Sequence, residues 1–63
     1  MEKVYICLYD NYYGEGSTPA EAFDTMSSVY EANEYEAAVA EECTFYEAYE
    51  IKVEKTTVFT IVE

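Results

Sequence analysis

Residues 18–30, Thr-Pro-Ala-Glu-Ala-Phe-Asp-Thr-Met-Ser-Ser-Val-Tyr, carry the most specific local signal in the chain. Thr18 can accept a hydrogen bond from a free backbone N–H, Pro19 suits the first helical position, and Glu21 can complete a capping box. A helix is therefore predicted to begin at Pro19. Ala22, Phe23, Met26, Val29 and Tyr30 recur at helical spacing and give it one apolar stripe. Glu21, Asp24, Ser27, Ser28 and Glu31 lie off that stripe, and Asn33 is a reasonable terminator.

Upstream, residues 3–9 read as a strand, with Val4, Ile6 and Leu8 on one face and Tyr5, Cys7 and Tyr9 on the other. Both faces are largely apolar, which suits a central place in a small sheet. Residues 10–17 read as a loop, opened by Asp10-Asn11 and containing Gly14 and Gly16. Tyr12 and Tyr13 then sit on that loop, either as a lid over the core or as a contact surface.

Downstream, residues 34–42 are rich in alanine and glutamate and favour a short second helix or helical turn, with Tyr35, Ala38 and Val39 on its apolar side. From Cys43 the period becomes two. Phe45, Tyr49, Ile51 and Val53 share one face, and Thr44, Tyr46, Ala48, Glu50, Lys52 and Glu54 share the other. Glu47 interrupts the apolar face, which suggests a bulge near Glu47-Ala48. Residues 56–62 make the last strand, with Glu54-Lys55 as the hairpin tip. The order strand, helix, short helix, strand, strand predicts an α+β fold. A three-stranded, mainly antiparallel sheet would carry one helix plus a short second helix on one face. The first strand is expected to pair with the last, leaving the middle one at an edge. Tyr5, Cys7 and Tyr9 would then lie on the uncovered face, an apolar surface suited to self-association.

At 63 residues the chain has room for a single domain spanning 1–63. A domain of this size buries only about 60% of the surface its unfolded chain exposes. Apolar residues make up 51% and aromatic ones 17%, which excludes a disordered acidic tail. Two cysteines, Cys7 and Cys43, do not make a disulfide framework, and they read as small space-filling hydrophobes. The N-terminus has no secretory pattern, and no run approaches the roughly 18 apolar residues that span a bilayer. A cytoplasmic protein with reduced thiols is the expectation.

Charge is the strongest compositional feature. The formal net charge is −11, and between Lys3 and Lys52 there is no lysine, arginine or histidine. Residues 18–42 hold seven carboxylates (Glu21, Asp24, Glu31, Glu34, Glu36, Glu41, Glu42) and no base. Direct binding to nucleic acid or to an anionic membrane is excluded, because three lysines cannot make a cationic patch. A basic protein surface is the natural complement.

Residues three or four apart on a helix stand about 5–6 Å apart, and alternate residues on a strand about 6.5 Å apart. Successive phosphates of a DNA strand lie at a comparable spacing, about 3.4 Å of rise plus the lateral step. Glu21/Asp24, Glu31/Glu34 and Glu47/Glu50 could imitate such neighbours, with Tyr35 and Tyr46 supplying flat contacts. The plain alternative is a solvated acidic face that serves solubility. The candidate partner-binding residues are Glu21, Asp24, Glu31, Glu34, Tyr35, Glu36, Glu41, Glu42, Tyr46, Glu47 and Glu50.

Catalysis finds no foothold. There is no histidine, and Ser17, Ser27 and Ser28 fall at cap or helix-surface positions. Two cysteines without histidine are short of a zinc set. Asp10-Asn11-Tyr12-Tyr13-Gly14-Glu15 places tyrosines where a calcium loop needs oxygen ligands. No catalytic residue, metal or cofactor is expected, and the chain does not read as an enzyme.

In size, charge and tyrosine content the chain resembles the small phage-encoded acidic proteins that mimic DNA and inhibit host nucleic-acid-binding enzymes. The resemblance is one of general character across the whole chain, without a shared motif. It implies an inhibitor in the host bacterial cytoplasm that occupies the basic groove of a restriction, CRISPR, recombination, repair or transcription protein. The alternative is a small assembly module that forms a homodimer through the apolar sheet face around Tyr5, Cys7 and Tyr9.

Overall fold

The computed structural model describes residues 2–62. It contains β1 (Glu2–Tyr9), β2 (Tyr12–Gly16), α1 (Pro19–Glu34), a single 3-10 turn at Ala40–Glu42, β3 (Thr44–Val53) and β4 (Thr56–Ile61). All strand pairs are antiparallel, in the order β2-β1-β3-β4. The sheet curls into a half-barrel. The α+β class is as expected, but the sheet has four strands rather than three and there is one helix rather than two.

The extra strand is the stretch read as a loop. Tyr12 to Gly16 pairs with β1, from Tyr9↔Tyr12 to Tyr5↔Gly16, across a two-residue turn at Asp10-Asn11. Asp10 takes a φ of 55° there, a conformation that aspartate tolerates better than most residues. Gly14 and Gly16 are not turn residues. They make β2 bare enough for α1 to lie directly on its backbone. A Cβ at Gly14 would fall on the Met26 backbone and within 2.8 Å of the Ala22 carbonyl oxygen; one at Gly16 would stand 2.5 Å from the Ala22 nitrogen.

The second helix does not form. α1 ends at Glu34, and Tyr35 turns the chain with a left-handed φ of 57° while its N–H bonds to the Glu31 carbonyl. Glu36 and Ala37 are exposed and Ala38 is only partly covered, so alanine and glutamate propensity has no buried face to reinforce it. A short helix without packing is marginal in water. Strand pairing also differs from expectation. β1 pairs with β3, and β4 rather than the middle strand forms the edge. The β1–β3 register is continuous from Glu2↔Glu50 to Leu8↔Thr44, so there is no bulge at Glu47-Ala48. The Glu47 charge is met instead by Lys3, 3.3 Å away on the neighbouring strand.

Helix and sheet meet on the face opposite to the one expected. Cys7, Ala22, Met26 and Tyr30 are buried together, with Tyr5, Tyr9, Tyr12, Phe23, Ala38 and Cys43 packed around them. The tyrosine face of β1 is thus the covered one, because only there do Gly14 and Gly16 let the helix approach. Burial pushes the Cys7 thiol up to about 12, and the neighbouring Cys43 thiol adds to the shift. On the other face, here the open face, Val4, Ile6 and Ala48 are buried with Phe59 packed against them. The curl of the sheet and adjoining side chains, rather than a second layer, remove them from water. The start of α1 follows the sequence reading: Thr18 Oγ1 accepts the Glu21 N–H at 3.2 Å, with Pro19 in the first turn.

Gly14→Ala should destabilise the domain by about 3 kcal/mol or more, because helix backbone must move to make room. Urea unfolding measures it, and a loss below about 1 kcal/mol would show that α1 does not rest on β2 as described.

Candidate partner-binding surface

Antiparallel pairing sorts the charges by where their segments begin and end. The β1–β2 turn, the C-terminus of α1, the connection 35–43 and the start of β3 all lie at one end of the sheet. The contacts that fix this are Tyr9↔Tyr12, Leu8↔Thr44 and a hydrogen bond from Tyr12 to Glu34. That end collects Asp10, Glu31, Glu34, Glu36, Glu41 and Glu42. No base accompanies them. Lys3 pairs opposite Tyr49, Lys52 opposite Thr57, and Lys55 sits in the β3–β4 turn, so all three lysines belong to the other half of the sheet.

Tyrosines organise the carboxylate end from beneath. The Tyr30 ring lies edge-on to Tyr9 at 4.8 Å and to Tyr12 at 5.4 Å. Tyr30 Oη donates to Glu36 Oε2 at 3.0 Å, and Tyr12 Oη donates to Glu34 Oε2 at 3.2 Å. Both hydroxyls resist ionisation. Burial raises the pKa of Tyr30 well above the usual phenol range, and the bond to Glu36 adds to it; burial and Glu34 raise Tyr12 in the same order. They therefore stay donors, and two carboxylates are held in fixed positions by charge-assisted bonds. Nothing neutralises the last turn of α1, which has no basic residue. Carboxylates there oppose the helix dipole.

Of the eleven candidate residues, five carboxylates stand at this end: Glu31, Glu34, Glu36, Glu41 and Glu42. Tyr35 stands with them, 91% exposed. Glu21 and Asp24 lie at the far end of α1, where Glu21 is engaged with the Thr18 hydroxyl at 3.4 Å. Tyr46, Glu47 and Glu50 are on β3, an interior strand rather than a sheet edge. Glu47 shares the helix-side face with Tyr5, whereas Tyr46 and Glu50 lie on the open face, opposite Ile6 and Glu2. The structure does not bring these outliers to the carboxylate end. Asp10, Tyr12 and Tyr30 belong to it and were not among the candidates. Reading residues 12–16 as a loop hid the turn that delivers Asp10 and Tyr12, and Tyr30 read as core, which it also is.

A second acidic group lies on the open face. Glu15 stands opposite Ile6, and its Oε2 is shielded from solvent without a hydrogen-bond partner. Burial raises its pKa; Glu50 and, more weakly, Glu2 raise it further, while Lys52 opposes them. Lys52 Nζ lies 4.0 Å from Glu50 Oε1. Among the described residues no group of histidine, cysteine, aspartate and glutamate side chains is arranged to hold a metal ion. Nor is any helix long and apolar enough to cross a membrane. Comparison with protein-family models, with curated proteins and with solved structures gives no match.

Because the folded pKa of Glu15 lies above its unfolded value, protonation stabilises the fold. That contribution is present below the ordinary glutamate range and is lost as pH rises through the raised value. Glu15→Gln should therefore raise the melting temperature at neutral pH. The gain should vanish near pH 3, below the usual glutamate pKa of about 4.3. An equal gain at both pH values would mean that the shielded charge is not its source.

Proposed function

We propose that the carboxylate end mimics the phosphate backbone of DNA and occupies the basic nucleic-acid-binding groove of a host protein. The observation that carries this reading is a set of six carboxylates at one end of the molecule, with every lysine in the other half. Two of the six are fixed by tyrosine hydroxyls. Fixed charges bind with less ordering cost than free ones, and a field of one sign speeds encounter with a cationic groove. Restriction, CRISPR, recombination, repair and transcription proteins all present such a groove. The reading needs no catalytic group, and the setting it implies is the cytoplasm of a bacterial host.

Tyr35 adds a second line of support. A left-handed backbone at a helix C-terminus is the place for glycine, and a non-glycine residue there costs about 1 kcal/mol. The chain keeps an exposed tyrosine in that position, beside Glu34 and Glu36. Strain retained at an exposed aromatic side chain is characteristic of contact sites.

Partners captured from a bacterial lysate should be released by duplex DNA, and by raising salt from about 50 to 200 mM, as phosphate-like contacts require. A captured protein that holds DNA and this chain together at full strength would sink the proposal. Glu34→Gln with Glu36→Gln should weaken capture at least tenfold while leaving the fold intact, because an amide oxygen still accepts the tyrosine hydroxyls. Tyr35→Gly should stabilise the domain by about 1 kcal/mol in urea unfolding and at the same time weaken capture; unchanged capture would remove Tyr35 from the surface.

A further inference from the structure

β4 is the last strand of the sheet, so one side of its backbone has no neighbouring strand among the described residues. Residues 56–62, Thr-Thr-Val-Phe-Thr-Ile-Val, contain no charge, proline or glycine. Their register with β3 runs unbroken from Ala48↔Ile61 to Val53↔Thr56. Charges, prolines and bulges are the devices that stop an edge from recruiting another strand, and this edge uses none of them. The opposite edge, β2, is five residues long, carries Glu15 and lies under α1.

Backbone parity determines what the β4 edge offers. Val62 donates its N–H to the Glu47 carbonyl at 2.8 Å, so even-numbered residues bond inward to β3. Thr57, Phe59 and Ile61 therefore turn their N–H and C=O groups outward. Val58, Ile61 and Val62 stand exposed around them.

We infer that β4 pairs antiparallel with β4 of a second copy of this chain, about a two-fold axis at Phe59, to give one continuous sheet of eight strands. An axis at Phe59 sets Thr57 opposite the partner's Ile61, so the outward groups of all three residues are matched. Moving the axis to Val58 would set Lys55 against the partner's Ile61.

Charge placement limits the repulsion that a net charge of −11 on each copy would otherwise bring. Antiparallel pairing points the two carboxylate ends in opposite directions, which keeps the base-free ends apart and sets each beside a half where lysines offset part of the acid charge. The helices lie over β2 and β1. The two β1 strands are five spacings apart, roughly 24 Å at about 4.8 Å each. That exceeds the screening length of about 8 Å at physiological salt. The inference does not rest on what the carboxylate end binds.

Light scattering coupled to size exclusion tests it on the whole chain. The expected mass is twice the 7.2 kDa of one chain, with the dimer strengthened by added salt. Thr57→Pro should give single chains with unchanged helical circular dichroism, because the lost N–H faces outward and edge strands tolerate proline. Thr57→Lys and Ile61→Glu should each weaken the dimer at least tenfold, and together restore it, since each new charge meets its opposite across the axis. Within one strand these positions are about 13 Å apart and cannot pair. If Thr57→Pro fails to fold, the charge pair decides alone. A single-chain mass at every concentration, a mass above two chains, or loss without rescue in the double variant would overturn the inference.

Discussion

The close approach of α1 to β2 at Gly14 and Gly16 is the constraint on which the rest of the structure depends. A helix separated from a strand by side chains would stand farther off and be free to choose its tilt. Here backbone meets backbone at Ala22 and Met26, and the choice is removed. Met26 and Ala22 can then seal Cys7 completely. Tyr30, one turn beyond Met26, arrives beneath Tyr9 and Tyr12, and Glu34 arrives within reach of a hydroxyl. The carboxylate end is thus built by a contact several turns away from it. In a chain of 63 residues little else is available to position it.

Some of this was visible in the residues and some was not, for identifiable reasons. The helix start was legible because Thr18, Pro19 and Glu21 act locally, through bonds that close within one turn. The β3–β4 hairpin was legible because its alternation is continuous on both sides of Glu54-Lys55. Residues 12–16 were not, because glycine usually marks a turn, and its use as clearance for a helix shows only once the helix is in place. The face that α1 covers was equally hidden. Both faces of β1 are apolar, and hydrophobicity could not separate Val4, Ile6 and Leu8 from Tyr5, Cys7 and Tyr9. Residues 34–42 misled through propensity, which counts for little where no apolar stripe is buried. As for the surface, the base-free stretch was plain in the sequence, but its division was not. Which acids share one end depends on strand pairing, and the pairing of β1 with β3 was not foreseen.

Several features oppose stability in a small domain. Acids crowd the last turn of α1, Tyr35 and Glu54 hold left-handed backbones, and Glu15 keeps a shielded carboxylate oxygen without a partner. They differ in kind. The acids and Tyr35 belong to the carboxylate end, where the proposed mimicry supplies a reason to retain them. Glu15 lies on the open face near Glu2 and Glu50, and Glu54 in the β3–β4 turn, and neither bears on that end. Local consistency is therefore highest at the cap of α1, and lowest where acids crowd together, at the carboxylate end and where Glu2 stands opposite Glu50.

Gathering six of the fourteen carboxylates at one end without a base, and all three lysines in the other half, gives the molecule a dipole moment as well as a net charge. The two act differently on an approaching cationic body. Net charge draws the molecules together in any orientation, whereas a dipole experiences a torque and turns before contact. The carboxylate end would lead at the moment of collision. A short sheet whose strands all run along one axis is an economical way to build such a lever, since the reversals at one end gather six acids without a base, whereas at the other end Glu2, Glu50 and Glu54 stand among the three lysines.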